Sequence, residues 1–551
     1  MPTKSLASPA RKRQFGAERS TQPLPIVHDR PSDSKITWGR LAILVTVLAW
    51  LGYLIYTIIR EFLNNGTESF RFTTEAISYL VVVTFLSFSA LMYLIARQGA
   101  LQRFRDHVRV PRAELDSHFA AQQGSMTVLV PSYSEEPGVV RATLWSAALQ
   151  EYPSLRVVLL LDDPPHPADP HVAERLTASR AIAQAIAHAV AEPRTRFSDE
   201  LLICELELAE NPLVTVDAVR ELAGNYDWAA RWLDRMAAAE DVADHVDTFF
   251  VEQVLGGLSA ELALTAAALK AAADENTAPS PQRMLELHRR LVWTFSEYLL
   301  TLDADSLLLR DYCLRLVSFL EQPDNVRVAV TQTPYSSFRG TPTRIERLAG
   351  ATTDIQHILH QWMSHYGATF WVGANAVIRK HALEDIVEVE TVGGFEVRRY
   401  VQDRTVIEDT ESSIDLGTHG WTLANYPERL SYSATPPDFG SLIVQRRRWA
   451  NGGLLILPKL WRQLRERERN GLPVSVTELF LRVNYMASIA WASFGLVFVL
   501  AYPYDSRLLS PVVVFAALPY FLAMGRATCV TAATGSATSS ASTASTWCCC
   551  R

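Results

Sequence analysis

Asp303-Ala304-Asp305 closes a short apolar run, residues 298–302, and a carboxylate pair of that kind can do metal chemistry. Two carboxylates at i and i+2 on extended chain point the same way, so both can face one ligand. Hard oxygen donors suit Mg²⁺ or Mn²⁺, which commonly take one or two carboxylates together with the phosphates of a substrate. On its own the pair is equally a strand end with two solvated side chains. It does not stand alone. Asp162-Asp163 closes an earlier apolar run, Glu408-Asp409 comes later, and Gln445-Arg446-Arg447-Arg448-Trp449 follows. An Asp pair before Pro164-Pro165 also reads as a plain turn, and Asp409 by itself as a helix cap stabilising by ~1 kcal/mol. The arginine run reads two ways: a basic patch against anionic headgroups, or a clamp for a diphosphate beside an indole plate for a sugar.

The elements that must position these groups follow from periodicity and punctuation. Residues 127–130 predict a strand, 131–136 a turn, 137–150 a helix opened by Pro137, and 156–161 a second strand. Strand, helix and strand with short links form a parallel, right-handed unit whose site lies at the strand C-termini. Asp162 and Asp163 fall there, as do Asp303 and Asp305 after their own strand. Between them, residues 171–297 are Ala-rich with apolar residues at helical spacing, in segments near 171–192, 213–240, 243–275 and 281–297. That pattern predicts a helical insertion packed on the rest, without chemistry of its own. Residues 327–331 predict a strand leading into Gln332-Thr333-Pro334, and 345–366 a helix. Residues 370–379 predict a strand in which Gly373 lets a ligand come close, and 410–420 a helix behind Glu408-Asp409.

The chain has 551 residues, 48% of them hydrophobic, and a formal charge of −7. Two apolar runs of spanning length, 36–59 and 75–96, precede the α/β pattern, and 480–500 with a shorter 508–524 follow it. Basic residues before the first run, and Arg97, Arg103 and Arg105 after the second, put both outer flanks on the cytoplasmic side. The predicted organisation is a disordered basic tail over 1–35, two membrane helices over 36–97, and a soluble domain over 126–440 with its insertion at 170–297. A motif segment with an interfacial amphipathic helix spans 441–475, two more membrane helices span 478–525, and a low-complexity tail ends the chain at 526–551. The acidic balance excludes bulk nucleic-acid binding. Six cysteines without ligand spacing exclude a disulfide framework.

Taken in order, Pro131-x-Tyr133…Glu136, Asp162-Asp163, Asp303-x-Asp305, Gln332-Thr333-Pro334, Gly373, Glu408-Asp409 and Gln445-x-x-Arg448-Trp449, set between membrane helices, resemble the family 2 processive glycosyltransferases. Bacterial cellulose synthase catalytic subunits look nearest, with chitin and hyaluronan synthases as relatives. The resemblance covers roughly residues 38–525. It implies an α/β fold, a GT-A-type glycosyltransferase domain with a helical insertion, in a multi-pass protein of the plasma (inner) membrane with that domain in the cytoplasm. It implies inverting β-transfer from a UDP-sugar, with UDP-glucose the expected donor, onto a growing polysaccharide beside the lipid bilayer. Accessory export subunits are left open as partners. Carried over residue by residue, Asp409 would be the general base with Glu408 beside it. Asp162, Asp163, Asp303, Gln445, Arg446 and Arg448 would bind the donor nucleotide, Asp303 and Asp305 the Mg²⁺ or Mn²⁺, and Trp449 and Gly373 the acceptor.

The family's Lys-Ala-x-Asn-x-Asn segment has no counterpart here. The helix at 281–297 instead runs into the strand at 298, which predicts a donor pocket open on one side and crowded by that helix. Three other readings fit the pattern in whole or in part. A metal-dependent phosphohydrolase would use the Asp pairs and leave Gln445 to Trp449 unexplained. A catalytically inactive membrane scaffold derived from a synthase, or a UDP-N-acetylglucosamine-using relative, would keep the whole set.

Overall fold

The computed structural model describes residues 30–60, 63, 70–121, 124–294, 301–338, 341, 343–373, 375–401, 405, 407–473, 475–501 and 517–523. The predicted tails up to residue 29 and from 526, the strand residues 298–300 and most of the fourth apolar run lie outside them.

Among the described residues three helices are long and apolar enough to cross a membrane: Asp33–Tyr56, Phe70–Asp106 and His245–Asp274. The first, α1 (Asp33–Tyr53), starts at Ser32, whose hydroxyl accepts the Lys35 N–H. Leu44 and Leu48 stay exposed on it, while Tyr53 packs against Tyr79 and Val83 of α2 (Phe70–Asp106). At 37 residues α2 is about 55 Å long, against a hydrocarbon core of roughly 30 Å. Its last turns therefore belong to the soluble part. Arg103 there donates to the carbonyls of Gln361 at 2.9 Å and Asn425 at 3.1 Å. The arginines predicted as a loose flank thus continue the spanning helix and dock it.

After α3 (Arg112–Ala121) come β1 (Met126–Ser132), α4 (Pro137–Ala148) and β2 (Leu155–Leu161). The two strands pair in parallel, Met126 with Leu155 through Ser132 with Leu161, as the sequence predicts. The insertion follows as α5 (Pro170–Glu210), α6 (Val216–Ala239), α7 (His245–Asp274) and α8 (Pro281–Thr294). The predicted end of α5 near Pro193 is overrun. A proline within a helix costs about 3 kcal/mol, and burial of Pro193, Phe197 and Cys204 offsets it. Helix α7 spans by composition, but its packing makes it a core helix. Leu258, Leu262, Ala266 and Leu269 are buried, Ser259 donates to the Ala230 carbonyl at 3.0 Å, and Glu261 pairs with Arg290 and Arg310.

The remaining strands are β3 (Thr301–Leu302), β4 (Ser306–Leu308), β5 (Val328–Gln332), β6 (Asn375–Ile378), the hairpin β7 (Glu388–Val392) and β8 (Phe395–Arg399), then β9 (Thr422–Asn425) and β10 (Ser431–Ser433). They form a mixed sheet in the order β3-β6-β5-β9, a β4-β10 pair and the β7-β8 hairpin. Strand β1 lies beside β3, which joins the first parallel unit to the mixed sheet. The helices are α9 (Tyr312–Glu321), α10 (Arg344–His365), α11 (Lys380–Asp385), α12 (Glu408–Thr418), α13 (Phe439–Arg469) and α14 (Val476–Ala501). This last helix covers the predicted third span. A mixed α/β layer with helices apolar enough to span is the fold class expected.

The described part of helix α8, up to Thr294, packs along the insertion, and residues 295–300 between it and β3 lie outside the described residues. Arg289 reaches Glu205 near the far end of α5, which is roughly 45 Å along that helix from Arg175 at 1.5 Å per residue. Buried ion pairs bind insertion, α3 and sheet into one body. Glu151 is buried between Arg112 and Arg310, the second at 3.0 Å. Burial alone would push its carboxyl up, but Arg112 and Arg310 hold it down at about 2. Its contribution to stability is thus complete above the ordinary value of 4.5 and is lost as the pH falls from there towards 2. Glu151→Ala, which removes the buried carboxylate shared by Arg112 and Arg310, is expected to destabilise by about 3 kcal/mol. A melting temperature in detergent equal to the parent's would exclude this.

Candidate active site

The first group of site residues stands where β1 and β2 end. Asp162 is exposed, and its N–H donates to the Ser132 carbonyl at 3.0 Å. Asp163 is half-buried and accepts the Ser134 N–H at 3.3 Å. Asp303 and Asp305 do not lie on one extended strand as expected. They sit in the turn between β3 and β4, closed by the Ser306 N–H on the Asp303 carbonyl at 2.9 Å. The turn is pinned from both sides. Thr143 of α4 donates to the Ala304 carbonyl at 2.6 Å, and the Ala434 N–H reaches the Asp305 carbonyl at 3.3 Å. The turn still brings the carboxylates together. Burial, then the charges of Asp303 and Glu135, push Asp305 up to about 7. Glu135, a residue the sequence reading passed over, ties the Ser134 turn to this pair.

Asp409 is the second residue of α12, not its cap: Ile407 holds the cap position and makes no side-chain bond. Burial pushes Asp409 up to about 7, with the charges of Glu408 and Asp303 in the same direction and bonds from Thr410 against it. Gly373 faces it. With φ +64 that residue needs glycine, and a Cβ there would stand 3.1 Å from Asp409 Oδ2.

The predicted strand over 370–379 is regular only from Asn375, because side chains replace its ladder. Gln332 donates to the Phe370 carbonyl at 2.9 Å and accepts the Val372 N–H at 3.1 Å. Ser413 accepts the Trp371 N–H at 2.9 Å and donates to the Asp409 carbonyl at 2.9 Å. Gln332 thereby sets where Gly373 meets the carboxylate, a role that its place after a strand only hinted at.

Gln445, Arg446, Arg448 and Trp449 all lie on α13, which starts at the cap Asp438 and runs unbroken through Pro458. Arg446 stacks over the Trp449 ring at 4.5 Å and donates to Thr352 of α10. Arg448 is exposed and Gln445 half-buried. Tyr335, whose hydroxyl donates to the Ala434 carbonyl at 3.0 Å, feels both the arginines and the acidic turn. Burial and the charges of Asp305 and Asp303 push its phenol up, and Arg446 and Arg448 act against them. Helix α13 is held to α12 by Lys459, at 2.9 Å from Glu411 and 2.6 Å from Asp415. Among the described residues no three His, Cys, Asp or Glu side chains form a metal-binding group. Asp303 and Asp305 remain as two hard donors beside each other.

Residues 298–524 match the family described as glycosyl transferase family group 2. This segment is a family 2 glycosyltransferase domain. Over 214 residues the chain is 25% identical to a cellulose synthase catalytic subunit [UDP-forming] of Komagataeibacter sucrofermentans, covering 37% of this chain and 26% of that protein. Over 207 residues it is 25% identical to cellulose synthase 1 catalytic subunit [UDP-forming] of Komagataeibacter xylinus, covering 35% and 26%. Over 164 residues it is 26% identical to glucans biosynthesis glucosyltransferase H of Xanthomonas oryzae pv. oryzae, covering 28% and 24%. The matched stretch spans about a quarter of the length of these relatives. The glycosyltransferase segment contains the Asp303 turn, Gln332, Gly373, Asp409 and the Gln445–Trp449 motif, while Asp162 and Asp163 precede it.

A methyl group at Gly373 tests the close approach. Gly373→Ala is expected to cost about 1–2 kcal/mol for its left-handed backbone and to lower turnover by more than about tenfold by displacing Asp409. Full turnover at the parent's melting temperature would show that the carboxylate has room.

Proposed function

We propose that this chain is an inverting β-glycosyltransferase that extends a polysaccharide from UDP-glucose at the cytoplasmic face of the plasma membrane. The observation that carries the reading is Asp409 set against Gly373, where a Cβ would stand 3.1 Å from Oδ2, with the charge of Asp303 from the β3–β4 turn acting on it. Inverting transfer needs one base for the acceptor hydroxyl and positive charge for a departing diphosphate. Asp409 would take the hydroxyl proton while that oxygen attacks the anomeric carbon and the bond to the diphosphate breaks. Arg448, exposed on α13, would hold the diphosphate, and the Arg446–Trp449 stack would offer the acceptor sugar its indole face.

The donor set fits Mg²⁺ or Mn²⁺. Two hard carboxylates crowd together so closely that burial and mutual charge raise Asp305, and phosphate oxygens would complete the shell. A divalent ion bound there would supply Lewis acidity to the leaving group. Asp162 and Asp163 would hold the nucleotide end. The topology agrees with a cytosolic donor: Arg97, Arg103 and Arg105 cluster where α2 leaves the apolar region, and Arg103 docks into the catalytic layer.

Incorporation of labelled UDP-glucose and, in parallel, UDP-N-acetylglucosamine into insoluble polymer by purified membranes tests the reading. Transfer from UDP-glucose is expected. Transfer from the other donor alone would move the chain to the chitin or hyaluronan type, and transfer from neither would make it a scaffold. Asp409→Asn should keep UDP binding and lose ~10²–10⁴-fold in transfer. Because the base works only when ionised, kcat/KM of the parent should fall about tenfold per pH unit below 7. A flat profile from pH 5 to 8 would remove Asp409 from the role.

A further inference from the structure

The turn after β1 has a backbone that its sequence does not favour. Ser134 lies at φ +60, in the left-handed region that L side chains seldom enter. Two bonds hold it there. Its N–H donates to Asp163 Oδ2 at 3.3 Å, and its Oγ accepts from Nη2 of Arg175 at 2.6 Å. Arg175 comes from the second turn of α5, the first helix of the insertion, which Asp169 caps by accepting the His171 N–H. Its Nη1 is 3.9 Å from Glu136. One turn further on, Arg180 donates to the Pro165 carbonyl at 3.3 Å, on the loop that follows Asp163. One helix therefore grips both loops at the mouth of the β1–β2 unit. The contact is charge-assisted and short, and it ends on the residue whose conformation is least favourable; an ordinary surface tie has no such target.

We propose that Arg175 is a positioning residue for the donor nucleotide, which gives the insertion a part in the site. By fixing Ser134 it fixes the N–H that orients Asp163, and this leaves Asp163 Oδ1 to accept from a nucleoside diphosphate. The inference rests on the nucleotide-sugar reading above. It also gives the position of α5 a consequence: its first turns must sit against the β1–α4 turn, and its remaining length follows into the insertion.

The experiment is a double-mutant cycle on UDP affinity, by calorimetry with Mg²⁺ on the full chain in detergent. Arg175→Ala and Ser134→Ala should each weaken UDP binding by about tenfold, with kcat at saturating donor unchanged. Because both act through one bond, the double variant should bind no more weakly than either single one. Arg175→Lys, with one ammonium in place of the fork, should lie between parent and Arg175→Ala. Parent-like affinity in Arg175→Ala overturns the proposal, and so do multiplicative losses in the double variant. If Arg175→Ala fails to fold, Ser134→Ala decides, and parent-like affinity there overturns it equally. A parent chain that binds no UDP would overturn the nucleotide-sugar reading and this one with it, whereas tight parent binding with indifferent variants overturns this one alone.

Discussion

Burial makes a carboxylate harder to ionise, and much of this site is arranged around that effect at the half-buried Asp409. Placement near a helix N-terminus would by itself make the group more acidic, and the Thr410 bonds act in the same direction. Burial outweighs both. That burial is built from several sides: Gly373 closes over Oδ2, Ser413 takes the Asp409 carbonyl, and Gly452 of α13 lies so close to Ile407 that a Cβ would meet it at 2.7 Å. Lys459 then locks α13 to α12 through Glu411 and Asp415. The helix that carries the arginines and indole is thus tied to the one that carries the half-buried Asp409.

The membrane helices enter this arrangement as structural members. Helix α2 brings Arg103 to the carbonyls of Gln361 and Asn425, at the end of β9 and on the helix that also supplies Thr352 to Arg446. From α14, Tyr485 receives Gln356 at 2.8 Å and meets His360 at 3.1 Å. Buried Arg482 joins Glu478 at 3.0 Å and Gln463 at 3.3 Å. Helix α10 is therefore held by apolar helices from both sides while its surface backs the pocket.

How much of this was legible beforehand follows from the range of the interactions. The β1–α4–β2 unit, the segments of the insertion and α10 were readable because local period and a proline or cap decide them. The order of the acidic pairs and the arginine motif was readable because it is sequence itself. What escaped depends on contacts far along the chain. The apolar run before Asp303 reads as a strand, and Thr143 and Ala434, from elsewhere, pin its end as a turn. Residues 370–373 have strand composition, yet Gln332 and Ser413 take their backbone groups. Helix α5 passes Pro193 because tertiary burial outweighs propensity. The β7–β8 hairpin is different: Gly393-Gly394 between alternating residues was a usable signal for a two-residue turn, and it was passed over.

The electrostatics join the parts of the site into a sequence of dependence. Asp303 raises both Asp305 and Asp409, and Glu135 raises Asp305. Positive charge beside Asp303 would lift only the last and smallest of the causes that raise Asp409. Burial, the larger cause, is unaffected, which keeps Asp409 more basic than an exposed carboxylate.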